Sequence, residues 1–217
     1  MTKRKSNFQK QRKMCKKIGI LGGTFDPFHK GHFMLAKTAY EQFQLDEVWI
    51  MPNGNPPHKK NIEQTDFKIR CEMVLLAIEN TPYMELCDVE GSEDCYHYTY
   101  QTLELFTQKY PKDHFYFIIG ADSLNDFPTW REPGKITQLC TLLVASRDED
   151  GIVQLEEKIE EMKAVYGGEF LILNSPKVDA ASKEIRMKVS CSEDASGYLD
   201  ANVWSYIQQH GLYQDKA

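Results

Sequence analysis

The chain predicts an α/β fold, a doubly wound and mainly parallel sheet with helices on both faces. Three observations predict it. Short apolar runs rich in branched residues recur along the chain, stretches with apolar residues at steps of three and four lie between them, and Gly- and Pro-containing breaks separate the two. Strand–helix alternation of this kind makes the strands parallel and puts the crossover helices on both sides of them. The 217 residues, 41% hydrophobic and 27% charged, suffice to bury one sizeable core.

Residues 18–21, 47–51, 115–119, 142–145 and 170–173 have the length and apolar character of buried strands, and a weaker strand runs through 84–89. Between them, Leu35, Ala39 and Phe43 fall four apart. Ile69, Met73 and Leu76 follow steps of four and three, and Leu155, Ile159, Met162 and Tyr166 steps of four, three and four. Such spacing gathers apolar side chains on one helical face, to be buried against the sheet. The charge-rich segment 154–163 is therefore an amphipathic surface helix. Residues 52–64, which include Pro52, Gly54, Pro56 and Pro57, read as loop, as do 90–97 and 174–181. No repeat or linker divides the chain, so residues 17–213 are expected to form a single domain between a basic, disordered tail at 1–16 and a short tail at 214–217.

Eight of the 26 basic residues lie in residues 1–17, which hold no acid, so the rest of the chain carries 18 bases against 32 acids, a charge of −14. That argues against a nucleic-acid partner, whose footprint needs a basic surface. No run approaches the ~18 apolar residues of a membrane helix, and the apolar run after the basic tail, residues 18–21, falls short of the ~7–15 of a secretory signal. The six cysteines are scattered singly, with no C-x-x-C pair to mark a zinc or redox site. Reduced thiols in a cytoplasmic protein are the expectation.

The first strand ends in Gly22-Gly23-Thr24-Phe25-Asp26-Pro27-Phe28-His29-Lys30-Gly31-His32, with a helix beginning at about Gly31. Ligands of open parallel sheets sit beyond the carboxyl ends of the strands. Two glycines there let a phosphate or nucleotide approach the main chain, and the helix N-terminus suits an anion. His29 and His32, three apart, face the same anion, donating hydrogen bonds and, if protonated, adding charge. A Gly-Gly pair is ordinarily only a turn, and a lone histidine ordinarily a surface or core residue; the eleven-residue combination is far more specific. It is neither the G-x-G-x-x-G fingerprint nor a P-loop.

This run resembles the nucleotidyltransferase superfamily that carries the H-x-G-H signature. Further segments resemble bacterial nicotinate-mononucleotide adenylyltransferases: Pro52-Asn53-Gly54-Asn55-Pro56-Pro57-His58-Lys59, Tyr98-Thr99-Tyr100-Gln101-Thr102-Leu103, Ile118-Ile119-Gly120-Ala121-Asp122-Ser123-Leu124, Phe127-Pro128-Thr129-Trp130, and Ala145-Ser146-Arg147. The ending, Tyr206-Ile207 and His210-Gly211-Leu212-Tyr213, also fits, and the resemblance covers roughly residues 17–213. It implies a Rossmann-like fold and adenylyl transfer from ATP to nicotinate mononucleotide. His29, His32 and Arg186 would be catalytic. Gly22, Gly23, Thr24, Phe25, Gly120, Asp122 and Ser182 would join them in binding ATP, and Asn53, Lys59, Thr99, Trp130 and Arg147 would bind the mononucleotide, with Arg131 a further contact. Trp130 offers a flat face for a pyridine ring, and Lys59 a charge on a proline-rich loop. Mg²⁺ would travel with ATP, since no carboxylate cluster marks a dedicated metal site.

One segment departs from the family pattern. Where a Ser-Ser-Thr-type stretch precedes x-Ile-Arg, this chain has Ala181-Ser182-Lys183-Glu184-Ile185-Arg186. Ser182 and Arg186 match, Ala181 and Lys183 replace two hydroxyls, and Lys183 is expected to supply charge in their place. Two alternatives stay open: a nucleotide-binding regulatory protein with weak turnover, and a related enzyme preferring nicotinamide mononucleotide. The homo-oligomeric state is open as well.

Overall fold

The computed structural model describes residues 15–54, 64–91, 98–146, 152–176 and 178–214. Six strands, β1 (Lys17–Gly23), β2 (Glu47–Pro52), β3 (Met84–Leu86), β4 (His114–Gly120), β5 (Thr141–Ser146) and β6 (Phe170–Asn174), form one sheet in the order β3-β2-β1-β4-β5-β6. Every neighbouring pair is parallel. This is the doubly wound order whose direction reverses between β1 and β4, and there the strand ends open a crevice.

Side-chain alternation along the strands divides the core in two. Ile18, Ile20, Trp49 and Met51 face one side, where they meet α3 (Thr99–Lys109), α5 (Pro133–Leu139) and α6 (Ile152–Tyr166). Leu21, Val48 and Ile50 face the other, under α1 (Lys30–Phe43) and α2 (Phe67–Ile78). Gly19 shares that second face because an added Cβ would stand 2.8 Å from Leu45. A third cluster, built on Met73, Ile185, Val189, Val203 and Ile207, docks α7 (Ser182–Ser190) and α8 (Ala201–Gln209) onto the outer side of α2.

The strands run slightly past their apolar runs. Gly22 and Gly23 pair with Met51 and Pro52, so Pro52 closes a central strand instead of opening the loop. A proline is tolerated there because the ladder ends with it; the next N–H, from Asn53, bonds the Gly23 carbonyl at 2.8 Å. The weak third strand shrinks to Met84–Leu86 at the sheet edge. The α4 helix (Ala121–Asp126) and α5 are too short for a periodic signal to mark them. Among the described residues, no helix is long and apolar enough to cross a membrane, and Cys15, Cys71, Cys87, Cys140 and Cys191 are free thiols.

Candidate functional site

The loop after β1 turns sharply at Phe25, whose backbone is left-handed (φ 51°). Its ring lies against Gly23, where an added Cβ would stand 2.7 Å away. The Gly-Gly pair thus makes room for a buried aromatic ring as well as for a ligand. Phe25 in turn meets the His32 ring edge-on at 4.9 Å.

His29 caps α1. Its Nδ1 accepts the Gly31 N–H at 3.1 Å, and its own N–H is accepted by His32 Nδ1 at 3.3 Å, a capping box made of two imidazoles. The rings stack with centroids 3.7 Å apart. Because each Nδ1 accepts a backbone hydrogen, each neutral ring carries its proton on Nε2. Burial lowers the His29 pKa from 6.5 to about 4. Burial, then the neighbouring His29, holds His32 well below its ordinary value. Both rings are therefore uncharged near neutral pH. Each ring then presents an Nε2–H donor and carries no charge of its own. Gly31 is part of this arrangement, since an added Cβ would lie 3.0 Å from the His29 ring.

Two cavities flank the pair. The first, of about 450 Å³, lies between His29, His32, Gly120, Ser146 and the segment leading into α7, including Ala181 and Ser182. The second, of about 500 Å³, lies over the ends of β1, β2 and β4, with Gly22, Gly23, Thr24, Asn53, Thr99, Asp122, Trp130 and Arg131 in its walls. Both include His32, Leu35 and Gly120, so they meet at the switch point of the sheet. Trp130 is half-buried, tilted against Phe127 at 5.5 Å and edge-on to Phe117 at 6.2 Å. Ser182, in the wall of the first cavity, donates through Oγ to the Pro27 carbonyl at 3.0 Å, and Arg186, which lines neither of the two cavities, donates through Nη1 to the Asp26 carbonyl at 2.6 Å, so both tie α7 to the histidine loop.

The cytidylyltransferase-like family model matches residues 20–192. A probable nicotinate-nucleotide adenylyltransferase of Clostridium botulinum (strain Okra / Type B1) is 38% identical over 198 residues, spanning 90% of this chain and 98% of the relative. One from Shewanella frigidimarina is 37% identical over 211 residues, spanning 91% and 100%. The chain belongs to the nicotinate-nucleotide adenylyltransferase family. Its fold is also that of the Plasmodium falciparum nicotinic acid mononucleotide adenylyltransferase complexed with NaAD, with a TM-score of 0.75 at 24% identity over 91% of this chain and 97% of that one.

Most residues expected at a site of this family gather around the two cavities, but not all take the part expected of them. Phe25 is 2% exposed and supports His32 from below, so its side chain is not a ligand surface. Lys183 is exposed and is not in the wall of the first cavity, which takes Glu184. Asp122 sits in the first turn of α4, with Gly120 at the cap. Lys59 and Arg147 lie outside the described residues.

Two buried polar residues and one half-buried one have side-chain partners that the sequence does not mark. Arg70, 1% exposed, donates to the carbonyls of Thr24, Asn53 and Thr65. Tyr213 donates to Asp26 Oδ1 at 2.6 Å from the far end of the chain. Glu90, 5% exposed in the second cavity, accepts from Thr102 Oγ1 at 2.9 Å, and its carbonyl lies so close to Gly54 that a Cβ there would stand 1.8 Å from it. No group of three His, Cys, Asp or Glu among the described residues could hold a metal ion.

Proposed function

We infer that this chain transfers the adenylyl group of ATP to nicotinate mononucleotide, forming nicotinate adenine dinucleotide and pyrophosphate. The observation that carries this reading is the pair of stacked neutral imidazoles, both in the wall of the first cavity, with His32 also in the wall of the second. A 5′-phosphate oxygen of the mononucleotide attacks the α-phosphorus of ATP. A new P–O bond forms, the bond from the α-phosphorus to the oxygen bridging to the β-phosphorus breaks, and that oxygen leaves with its electron pair as pyrophosphate. The nucleophile is a phosphate monoester with a second pKa near ~6, so it is already ionised and needs no general base.

The chain's contribution is then placement and charge stabilisation. His29 and His32 donate to the α- and β-phosphate oxygens, and being neutral they lose no proton to a passing base. The N-terminus of α1 adds a favourable dipole. Arg186 and Ser182 serve the outer phosphates, while Gly120, common to both cavities, and Gly22, Gly23, Thr24 and Asp122, in the second, serve the rest of ATP where it meets the mononucleotide. The second cavity takes the mononucleotide, with Trp130 against the pyridine ring and Asn53 and Thr99 as neutral hydrogen-bonding groups. Mg²⁺ enters as part of the ATP substrate. Residues 17–213 work as one domain in the cytoplasm.

Pyrophosphate release from ATP plus nicotinate mononucleotide tests it, run beside the amide mononucleotide. His32→Ala is expected to cut the rate at saturating ATP at least about a hundredfold, the usual loss for one preorganised donor, with the fold intact. Ala181 and Lys183 motivate a second reading, a binding protein with weak turnover. Tight nucleotide binding without pyrophosphate release would favour it.

A further inference from the structure

We propose that Tyr213 is a positioning residue that sets the two imidazoles by holding the Asp26 carboxylate. The inference rests on the reaction assigned above. After α8 the chain turns back through two left-handed residues, Gly211 (φ 58°) and Tyr213 (φ 63°). A bulky residue keeps that conformation only where its surroundings fix it. Two contacts do so here. The ring packs on the cluster that docks α7 and α8 onto α2, and the hydroxyl donates to Asp26 Oδ1 at 2.6 Å.

Asp26 lies three residues before His29, and residues 25–29 form one continuous buried segment. Four bonds from outside hold its first part. Tyr213 O–H and Thr65 N–H (3.2 Å) donate to the two carboxylate oxygens, Arg186 Nη1 (2.6 Å) to the Asp26 carbonyl, and Ser182 Oγ (3.0 Å) to the Pro27 carbonyl. Its last part ends in His29, which caps α1 and stacks on His32. Phe28, between the two parts, lies 5.2 Å from the Phe25 ring and 5.4 Å from that of His32. In a close-packed segment of this kind a shift at Asp26 passes along the chain to His29 and through Phe28 to His32.

Tyr213 is the donor to Oδ1 among the described residues, and Asp26 is only 4% exposed, so bulk water does not replace it. Burial, then the Asp26 charge, pushes the Tyr213 hydroxyl up from its ordinary value, so the donor stays neutral. Loss of that hydroxyl leaves a buried, charged oxygen unpaired. The carboxylate must then turn, drawn toward the Arg70 guanidinium, whose charge already acts on it. Phosphoryl chemistry is sensitive to such a turn, since a misplacement of about 1 Å can cost a hundredfold in rate.

Tyr213→Phe keeps the ring in its cluster and removes only the hydroxyl. Pyrophosphate release reads the reaction, and the side-chain NMR signals of the histidines read the rings. The expected result is turnover at saturating substrates lowered at least about fivefold, with the KM for nicotinate mononucleotide within about twofold of wild type. The His29 and His32 signals should shift while that of His114 stays in place. A smaller loss of turnover, a KM changed beyond that limit, unmoved His29 and His32 signals, or a His114 signal that moves with them overturns the proposal. If Tyr213→Phe does not fold, a crystal of the wild-type protein with an inert ATP analogue decides. The Tyr213 bond to Asp26 should be intact while both rings meet phosphate, and a broken bond overturns the proposal. Wild-type protein that releases no pyrophosphate overturns the assigned reaction instead, and the imidazole signals alone then test whether Tyr213 sets the rings.

Discussion

Gly31→Ala separates stability from chemistry at one position. Alanine in place of glycine inside a helix stabilises by roughly 0.5–1 kcal/mol. Here the new methyl would stand 3.0 Å from His29 Cε1 and 3.1 Å from its Nδ1, tighter than ordinary van der Waals contact, so the ring must withdraw by a few tenths of an ångström. The cap bond from the Gly31 N–H, already 3.1 Å, lengthens with it. A lost helix cap costs about 1 kcal/mol, so the two effects on stability nearly cancel. Turnover has no such offset. The His29 Nε2–H moves away from the phosphate it serves and the stacked His32 ring moves with it, a loss of roughly tenfold to a hundredfold against the larger cost of deleting a donor outright. Thermal melting should place the variant within about 1 kcal/mol of wild type, while pyrophosphate release at saturating substrates falls by that factor. Near-normal turnover would show that the position of the His29 ring does not matter to the reaction. A large loss of stability would show that Gly31 serves the fold instead.

Two further outcomes follow from the same geometry. The folded-state pKa of His29, about 4, lies below its ordinary 6.5, so between these values the unfolded chain binds a proton that the folded chain does not. Its contribution is full above pH 6.5 and is lost as pH falls toward 4, by about 3 kcal/mol in all; melts from pH 7 to 4.5 should show this slope on top of that of His32, and His29→Asn should reduce it. Trp130→Ala should raise the KM for nicotinate mononucleotide about tenfold, in line with a stacking contribution of about 1–3 kcal/mol, while calorimetry with an ATP analogue changes little; equal losses for both ligands would remove Trp130 from the pyridine site.

Apolar runs located the strands because a parallel strand covered on both faces must be apolar along its length. Their ends were harder to place. Gly22, Gly23 and Pro52 read as breakers, yet they extend β1 and β2 because a strand end tolerates residues that its middle does not. The His29–His32 pair was legible as an anion site from its place after the first strand. Its protonation state was not, since that depends on which ring nitrogen the backbone occupies and on how deeply the rings are buried.

Arg70 did leave a trace. The segment around it, Ile69-Arg70-Cys71-Glu72-Met73-Val74-Leu75-Leu76, is apolar on most sides, and a helix of that kind is buried. A lone arginine within it must then find carbonyl or carboxylate partners. Tyr213 reads only as part of the chain's ending, and its bond to Asp26 leaves no mark there, because the two are 187 residues apart and only the tertiary fold joins them. Lys183 is a charge in the right stretch of sequence, but the turn of α7 puts Glu184, and not Lys183, in the wall of the first cavity.

A crystal of the protein grown with a nonhydrolysable ATP analogue probes the core of this account most directly. The expected result is phosphate oxygens within hydrogen-bond distance of Nε2 on both His29 and His32, with the triphosphate running toward Ser182 and Arg186. A triphosphate bound away from the two rings, or meeting them only through carbon, would contradict it.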